Sequence, residues 1–262
     1  MARKAFAVVL SLVVGLALPV FLLLADIEVV AYHFADYRDS FIRTGASAAT
    51  GLTVDQLVWT IRRTVDYATG RRTDLQFDRA DLDHGPPGRP AFSRIELEHM
   101  VDVRALFALG RKVRWAALVA AVVGGAAVIA LGRRRGGPAA GAGGAVLARG
   151  LLAGAALFLG LWAVLAGAVL AGFSSFWTSF HEVLFSNNLW LLPADCLLIE
   201  MLPESLFQRL ALEVVGLLAV ELAVVIFASA LYLRGRPSGC GDRSGRKGRG
   251  SIEDTHAEPA CR

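Results

Sequence analysis

Four long apolar stretches, at 5–24, 113–131, 151–173 and 210–233, leave this chain few ways to fold. A helix crosses the hydrocarbon core of a bilayer in about 20 residues, because each residue rises about 1.5 Å and every backbone hydrogen bond closes within the helix. Each stretch has that length. With 55% hydrophobic residues and a mean hydropathy of +0.52, the chain reads as an integral membrane protein and not as a soluble domain. The expected fold class is an α-helical membrane protein, a four-transmembrane-helix bundle. Arg3 and Lys4 before the first stretch imitate a secretory signal, but the apolar core is longer than a signal core and no small-x-small site follows near Ala25. An uncleaved anchor is expected.

The formal net charge of +4 conceals an asymmetry between the two sides. Arg3 and Lys4 precede the first span, Arg133, Arg134, Arg135 and Arg149 bracket the second connection, and Arg234, Arg236, Arg243, Arg246, Lys247 and Arg249 follow the fourth span. By the positive-inside rule these three regions are cytoplasmic. The expected organisation is then a first transmembrane helix with a cytoplasmic N-terminus (1–25) and an extracytoplasmic cap segment (26–112). The second and third helices with a cytoplasmic Gly/Ala-rich linker (113–173) follow, then a second outer segment (174–209), the fourth helix (210–233) and a disordered basic cytoplasmic tail (234–262). Arg111, Lys112 and Arg114 oppose this topology and are outvoted. The protein belongs on this reading in the plasma membrane as a multi-pass protein. The tail is Gly-rich and free of aromatics, which argues against a nucleic-acid partner. Cys196, Cys240 and Cys261 have no metal or redox spacing, and the topology separates the first from the other two.

Within the cap segment, Thr53-Val54-Asp55-Gln56 fits a capping box, and Leu57, Val58, Ile61 and Val65 follow at helical spacing, predicting a helix over 54–68 that Gly70 stops. Residues 74–78 look like a short strand, with a partner at 89–92 beyond the Gly85-Pro86-Pro87-Gly88 punctuation, so a small hairpin or sheet is expected there. Ser93-Arg94-Ile95-Glu96 is a second capping box, and the helix it starts carries His99 on its second turn.

His99 and His181 are each the only histidine in the stretches 98–104 and 180–190, and the topology brings the two to one face. An imidazole titrates near neutrality and can take and return a proton cheaply, so two of them at a membrane boundary are a candidate catalytic pair. Asp102 follows His99 at helical spacing and can orient it. Phe176, Trp177, Phe180, Leu184 and Phe185 place His181 on an aromatic stripe, which without the histidine would be an interfacial belt. His181-Glu182 starts like a zinc-protease motif, but Phe185 stands where the second histidine should be. His99, Asp102, His181 and Asp195 could form zinc ligands only through the fold, and no metal is expected. Glu221, mid-span, is expected to be protonated and hydrogen-bonded to a neighbour such as Ser11 or Trp162. His33, His84 and His256 lack company that suggests a role.

The block Glu96 to Arg104, with its His-Met-x-Asp-Val core, resembles the lipoprotein intramolecular transacylase family, as do Phe180-His181, Phe185-Ser186-Asn187, Trp190-Leu191-Leu192 and Leu202-Pro203-Glu204 after two further spans. The resemblance implies four spans and a reaction at the outer leaflet, with a diacylglyceryl lipoprotein as substrate and membrane lipid as surroundings. In that family the sn-2 acyl chain moves from the diacylglyceryl group on the N-terminal cysteine to the cysteine's own α-amine, giving the lyso form. Its two catalytic histidines fall on His99 and His181. Ester-to-amide transfer runs downhill, so no cofactor, nucleotide or acyl carrier is expected, and the chain has no phosphate-binding GxxxxGK[ST] loop. One histidine would be the base, and the other would protonate the leaving oxygen or polarise the carbonyl. Asn187, Asn188 or Arg104 could supply an oxyanion donor. The rival reading is a non-enzymatic membrane scaffold or transporter accessory protein that binds a partner through its outer cap, and a metal-dependent hydrolase comes third.

Overall fold

The computed structural model describes residues 2–82, 88, 90–133 and 142–235. In chain order the helices are α1 (Ala2–Ala31), α2 (Phe34–Thr44), α3 (Ala46–Thr50), α4 (Val54–Ala68), α5 (Arg94–Arg133), α6 (Ala142–Ala171), α7 (Phe173–Leu184), α8 (Leu197–Met201) and α9 (Glu204–Arg234), with a 3-10 turn at Arg79–Leu82. α1, α5, α6 and α9 are long and apolar enough to cross a membrane. Val164 and Leu170 are 69% and 70% exposed on α6, an apolar surface that suits acyl chains and not water. His84, His256, Cys240, Cys261, the linker arginines Arg134 and Arg135 and the basic tail beyond Gly235 lie outside the described residues.

Small residues set how closely the spans approach. A Cβ on Gly15 would overlap the Gly150 carbonyl, and one on Gly154 would overlap the Gly15 carbonyl. The backbones of α1 and α6 therefore touch, which replaces the hydrophobic drive that lipid tails remove between helices with close packing.

α5 is longer than its apolar stretch because nothing between Arg94 and Arg133 breaks it. Its 40 residues reach about 60 Å, twice the roughly 30 Å of bilayer hydrocarbon. The half from Arg94 to Lys112 thus stands clear of the span as a rigid post. Around it the other helices form a cap with one core, in which Phe41, Leu57, Ile61, Met100, Met201 and Leu206 are buried together, so both inter-span segments contribute. α4 occupies the residues its periodicity predicts. Its capping box is complete: Gln56 N–H donates to Thr53 Oγ1 at 3.3 Å and Thr53 N–H to Gln56 Oε1 at 2.8 Å, a device worth about 1 kcal/mol. Gly70 follows with a φ of 80°, a left-handed turn that a side chain would strain.

Two of the three basic residues that opposed the topology have structural partners. Arg114 pairs with Glu28 of α1, and Arg111 donates to the Thr69 carbonyl at 2.6 Å.

Two expectations are corrected. The hairpin is reduced to one antiparallel bridge between Asp78 and Pro90, and no strand forms among the described residues. Ala91 N–H reaches the Phe77 carbonyl at 3.0 Å, but Pro90 has no N–H to extend the ladder and the 3-10 turn begins at Arg79. Glu221 does not take Ser11 as partner, because that hydroxyl donates at 2.7 Å to the Val8 carbonyl of its own helix. The neighbour of Glu221 is instead Asp26, buried on α1.

Candidate active site

α5 and α7 bring His99 and His181 together: their ring centroids lie 6.3 Å apart, although 82 positions separate them by number (181 less 99). His99 sits on the second turn of α5, above the apolar stretch. His181 lies in the last turn of α7, whose aromatic stripe becomes a box. Trp177 meets the His181 ring edge-on at 4.5 Å, Trp190 stacks at 5.0 Å and Phe185 at 5.6 Å. Phe185 also contacts His99 at 5.5 Å, so one aromatic ring spaces both imidazoles. Trp190 lies in the turn after α7, and its role was not legible from helical spacing because it enters by the chain's return.

His181 is 7% exposed, and its Nδ1 lies 2.7 Å from the Trp177 carbonyl. A carbonyl can only accept, so Nδ1 must carry the proton and Nε2 the lone pair. The backbone thereby fixes the tautomer of this ring. Burial holds the His181 pKa below its ordinary value, against the opposing pull of the Trp177 carbonyl. Burial also lowers that of His99, with a further lowering from His181 and an opposing pull from Asp102. Both rings are therefore neutral at pH 7, and the aromatic faces around His181 favour the imidazolium once a proton arrives. His99 Nδ1 is buried with no hydrogen-bond partner among the described residues.

Asp102 lies one turn beyond His99, and its Oδ2 accepts a 2.8 Å hydrogen bond from Asn187 Nδ2. Asn187 Oδ1 accepts from Leu189 N–H at 2.9 Å, so this side chain locks its own turn and ties it to α5. Asn188 is exposed on the same turn. Arg104 points elsewhere: it donates to the Arg72 carbonyl at 2.8 Å and lies over the Tyr67 ring at 4.8 Å, bracing the cap. A groove of about 240 Å³ runs beside the pair, with Ala105, Leu106, Leu109 and Leu184 as its apolar wall and Ser186 and Asn187 at its rim.

Glu96 is the contributor that the sequence disguised. Its spacing marks it as half of a capping box, and Oε2 does accept from Ser93 N–H at 2.7 Å. Its other oxygen accepts at 2.8 Å from Leu198 N–H, 102 positions away. The carboxylate is 2% exposed and fastens the start of the His99 helix to α8, in the segment that carries His181. Nearby, burial pushes the Cys196 thiol up to about 11, which suits packing and not nucleophilic chemistry.

His99, Asp102, His181 and Asp195 do not form a metal cluster among the described residues. His33, Asp36 and Glu213 do bring ligand atoms within 4.8 Å of one another. However, Arg209 already bonds Asp36 at 2.6 Å and Glu213 at 3.1 Å, so a guanidinium holds the place of a cation.

Paired imidazoles thus stand beside an apolar groove, one of them on a helix long and apolar enough to continue across a membrane. The family model of the lipoprotein intramolecular transacylase Lit matches residues 12–207, with both histidines inside the match, and the chain belongs to this family of acyltransferases. The fold agrees with the in meso structure of the membrane integral transacylase Lit from Bacillus cereus, at a TM-score of 0.66 and 18% identity over 88% of this chain and 96% of that one. A histidine-to-arginine and a histidine-to-alanine variant of the same enzyme align at TM-scores of 0.64 and 17% identity, each over 88% of this chain and over 94% and 96% of theirs. No curated protein matches the chain.

Proposed function

We propose that this protein moves the sn-2 acyl chain of a diacylglyceryl-cysteine lipoprotein onto that lipoprotein's own N-terminal α-amine, at the outer face of the plasma membrane, with both termini cytoplasmic. The observation that carries the reading is the His99–His181 pair, with the His181 tautomer fixed by Trp177. His181 Nε2 takes the proton as the amine nitrogen attacks the ester carbonyl. The amine has a reference pKa of about 7.7 to 8.0, near enough to imidazole for that transfer. His99 donates its ring N–H to the carbonyl oxygen as negative charge develops there. The C–O bond to glycerol then breaks, and the imidazolium of His181 returns its proton to the departing oxygen. The products are the amide and a free glyceryl hydroxyl, and neither histidine is left changed. No cofactor enters this balance.

Asp102 acts on His99 through its charge, which favours the imidazolium, and Asn187 holds Asp102. Asn188 and the second Nδ2 hydrogen of Asn187 are further oxyanion donors, whereas Arg104 supports the site through the cap. The groove along Ala105, Leu106 and Leu109 accepts the migrating chain from the bilayer. Because amine and ester belong to one substrate, holding them together can supply up to roughly 7 to 11 kcal/mol of the acceleration.

The test is reconstitution of the purified protein with a diacylglyceryl lipopeptide, followed by fragmentation mass spectrometry. Intramolecular transfer leaves the total mass unchanged and places one acyl chain on the amine. A product lighter by one acyl chain would mean hydrolysis and would overturn the proposal.

A further inference from the structure

The basic residues around the turn after α4 form a surface that the transfer chemistry does not use. Arg111 and Lys112 sit where α5 enters its apolar stretch, so they mark the membrane boundary on the cap side whichever way the protein is oriented. Turn 69–73 is fastened to that level from both sides. Arg111 donates to the Thr69 carbonyl at 2.6 Å, and Arg104 donates to the Arg72 and Thr73 carbonyls at 2.8 and 3.3 Å. Arg71, on the turn, lies 4.1 Å over the ring of Tyr32, one residue past the end of α1. Three separate chain segments thus converge on one boundary and bring Arg71, Arg72, Arg104 and Arg111 together, with the exposed Lys112 next to Arg111 at the same level of α5. The acidic groups close by are Asp66, which accepts from the Tyr32 hydroxyl at 3.3 Å, and Asp74, so the surface stays strongly cationic.

These cations keep donors in reserve. Arg104 and Arg111 address the turn through one guanidinium nitrogen each. Arg71 and Lys112 are exposed. Directly on the membrane side of them, Val113 and Trp115 present apolar surface that is 41% and 59% exposed. Unspent N–H donors above exposed apolar side chains match a molecule with an anionic phosphate head and acyl tails.

We propose that this collar binds the phosphate headgroup of an anionic phospholipid in the leaflet beside the cap, and so holds the cap down against the membrane. The attraction is electrostatic at the headgroup and apolar below it, so it weakens with salt and favours an anionic lipid over a zwitterionic one. It is independent of the acyl-transfer reading.

The test uses the full chain released from mixed vesicles of phosphatidylglycerol and phosphatidylcholine, with native mass spectrometry counting the lipids that stay bound. Preferential retention of phosphatidylglycerol is expected, and Lys112→Gln should weaken that preference roughly fivefold, the weight of one basic side chain at an anionic surface. The triple variant Arg71→Gln/Arg72→Gln/Lys112→Gln should abolish it, while Arg94→Gln, at the far end of α5 with its side chain 92% exposed, should leave it intact. The single Lys112→Gln variant, exposed and outside the cap core, decides the matter if the triple variant fails to fold. Equal retention of the two lipids would overturn the proposal, as would displacement by free inorganic phosphate or an equal loss in Arg94→Gln.

Discussion

Replacing Glu96 probes the link between the two halves of the site. In the native protein its carboxylate accepts from Ser93 N–H at 2.7 Å and from Leu198 N–H at 2.8 Å, at a position 2% exposed. Glu96→Gln keeps the shape but substitutes an NH2 group for one acceptor, so a donor faces a donor. One charge-assisted hydrogen bond worth about 1.5 to 3 kcal/mol is lost, and the Leu198 or Ser93 N–H is left without a partner. Glu96→Ala removes both bonds and should cost about 4 kcal/mol. Thermal unfolding in detergent should then show a fall in Tm of roughly 5 to 10 °C for the glutamine variant and more for the alanine variant. Activity should fall further than stability alone explains, because the His99 helix is no longer pinned to α8 and a misplacement of about 1 Å can cost on the order of a hundredfold. The reasoning is refuted if Glu96→Ala melts within about 0.5 kcal/mol of the parent.

Three further outcomes are expected. A double-mutant cycle between Asn187→Leu and Asp102→Asn, read in kcat, should give a coupling of about 0.5 to 1.5 kcal/mol, and additive effects would remove Asn187 as the holder of Asp102. Because both histidine pKa values are lowered from 6.5 by burial, the single-turnover rate should show the limb of the substrate amine near its reference value of about 7.7 to 8.0 and a separate histidine limb only below about pH 6.5. The same depression makes the folded state resist protonation, so the stability these rings contribute is fully present above about pH 6.5 and drains away as pH drops through the lowered values; protonation of either ring above about pH 6.5, followed by NMR, would contradict the assignment. Gly154→Leu should prevent α1 and α6 from closing, since even a Cβ there overlaps the Gly15 backbone, and it should abolish the monodisperse folded protein seen by size-exclusion chromatography, whereas Gly160→Leu, with open space around it, should not.

The spans were legible in the sequence because hydropathy over a membrane-length window is a local property, and α4 was legible because its capping box and apolar spacing agree. The continuity of α5 was not. A hydropathy change at Lys112 looks like a boundary, yet a backbone ends only where a breaker or a competing bond ends it. The hairpin failed for the converse reason, since alternating side chains cannot make a ladder past a proline. Within the site, the two histidines stood out because each was isolated in an apolar setting. The Trp177 carbonyl, the Trp190 ring and the Glu96–Leu198 bond did not, because they arise from contacts between distant segments or from backbone atoms that every residue carries. Likewise Asp26 lies just past the first apolar stretch and gave no sign that it faces Glu221 in the middle of the fourth.

The central claim is that two imidazoles act together on one ester. It is tested most directly by His99→Ala and His181→Ala proteins, each shown to fold by an unchanged melting profile, assayed on a diacylglyceryl lipopeptide by fragmentation mass spectrometry. The account predicts that neither variant moves the acyl chain to the amine and that His181→Ala loses the reaction at every pH, since its Nε2 is the base. Full transfer by either folded variant would contradict it.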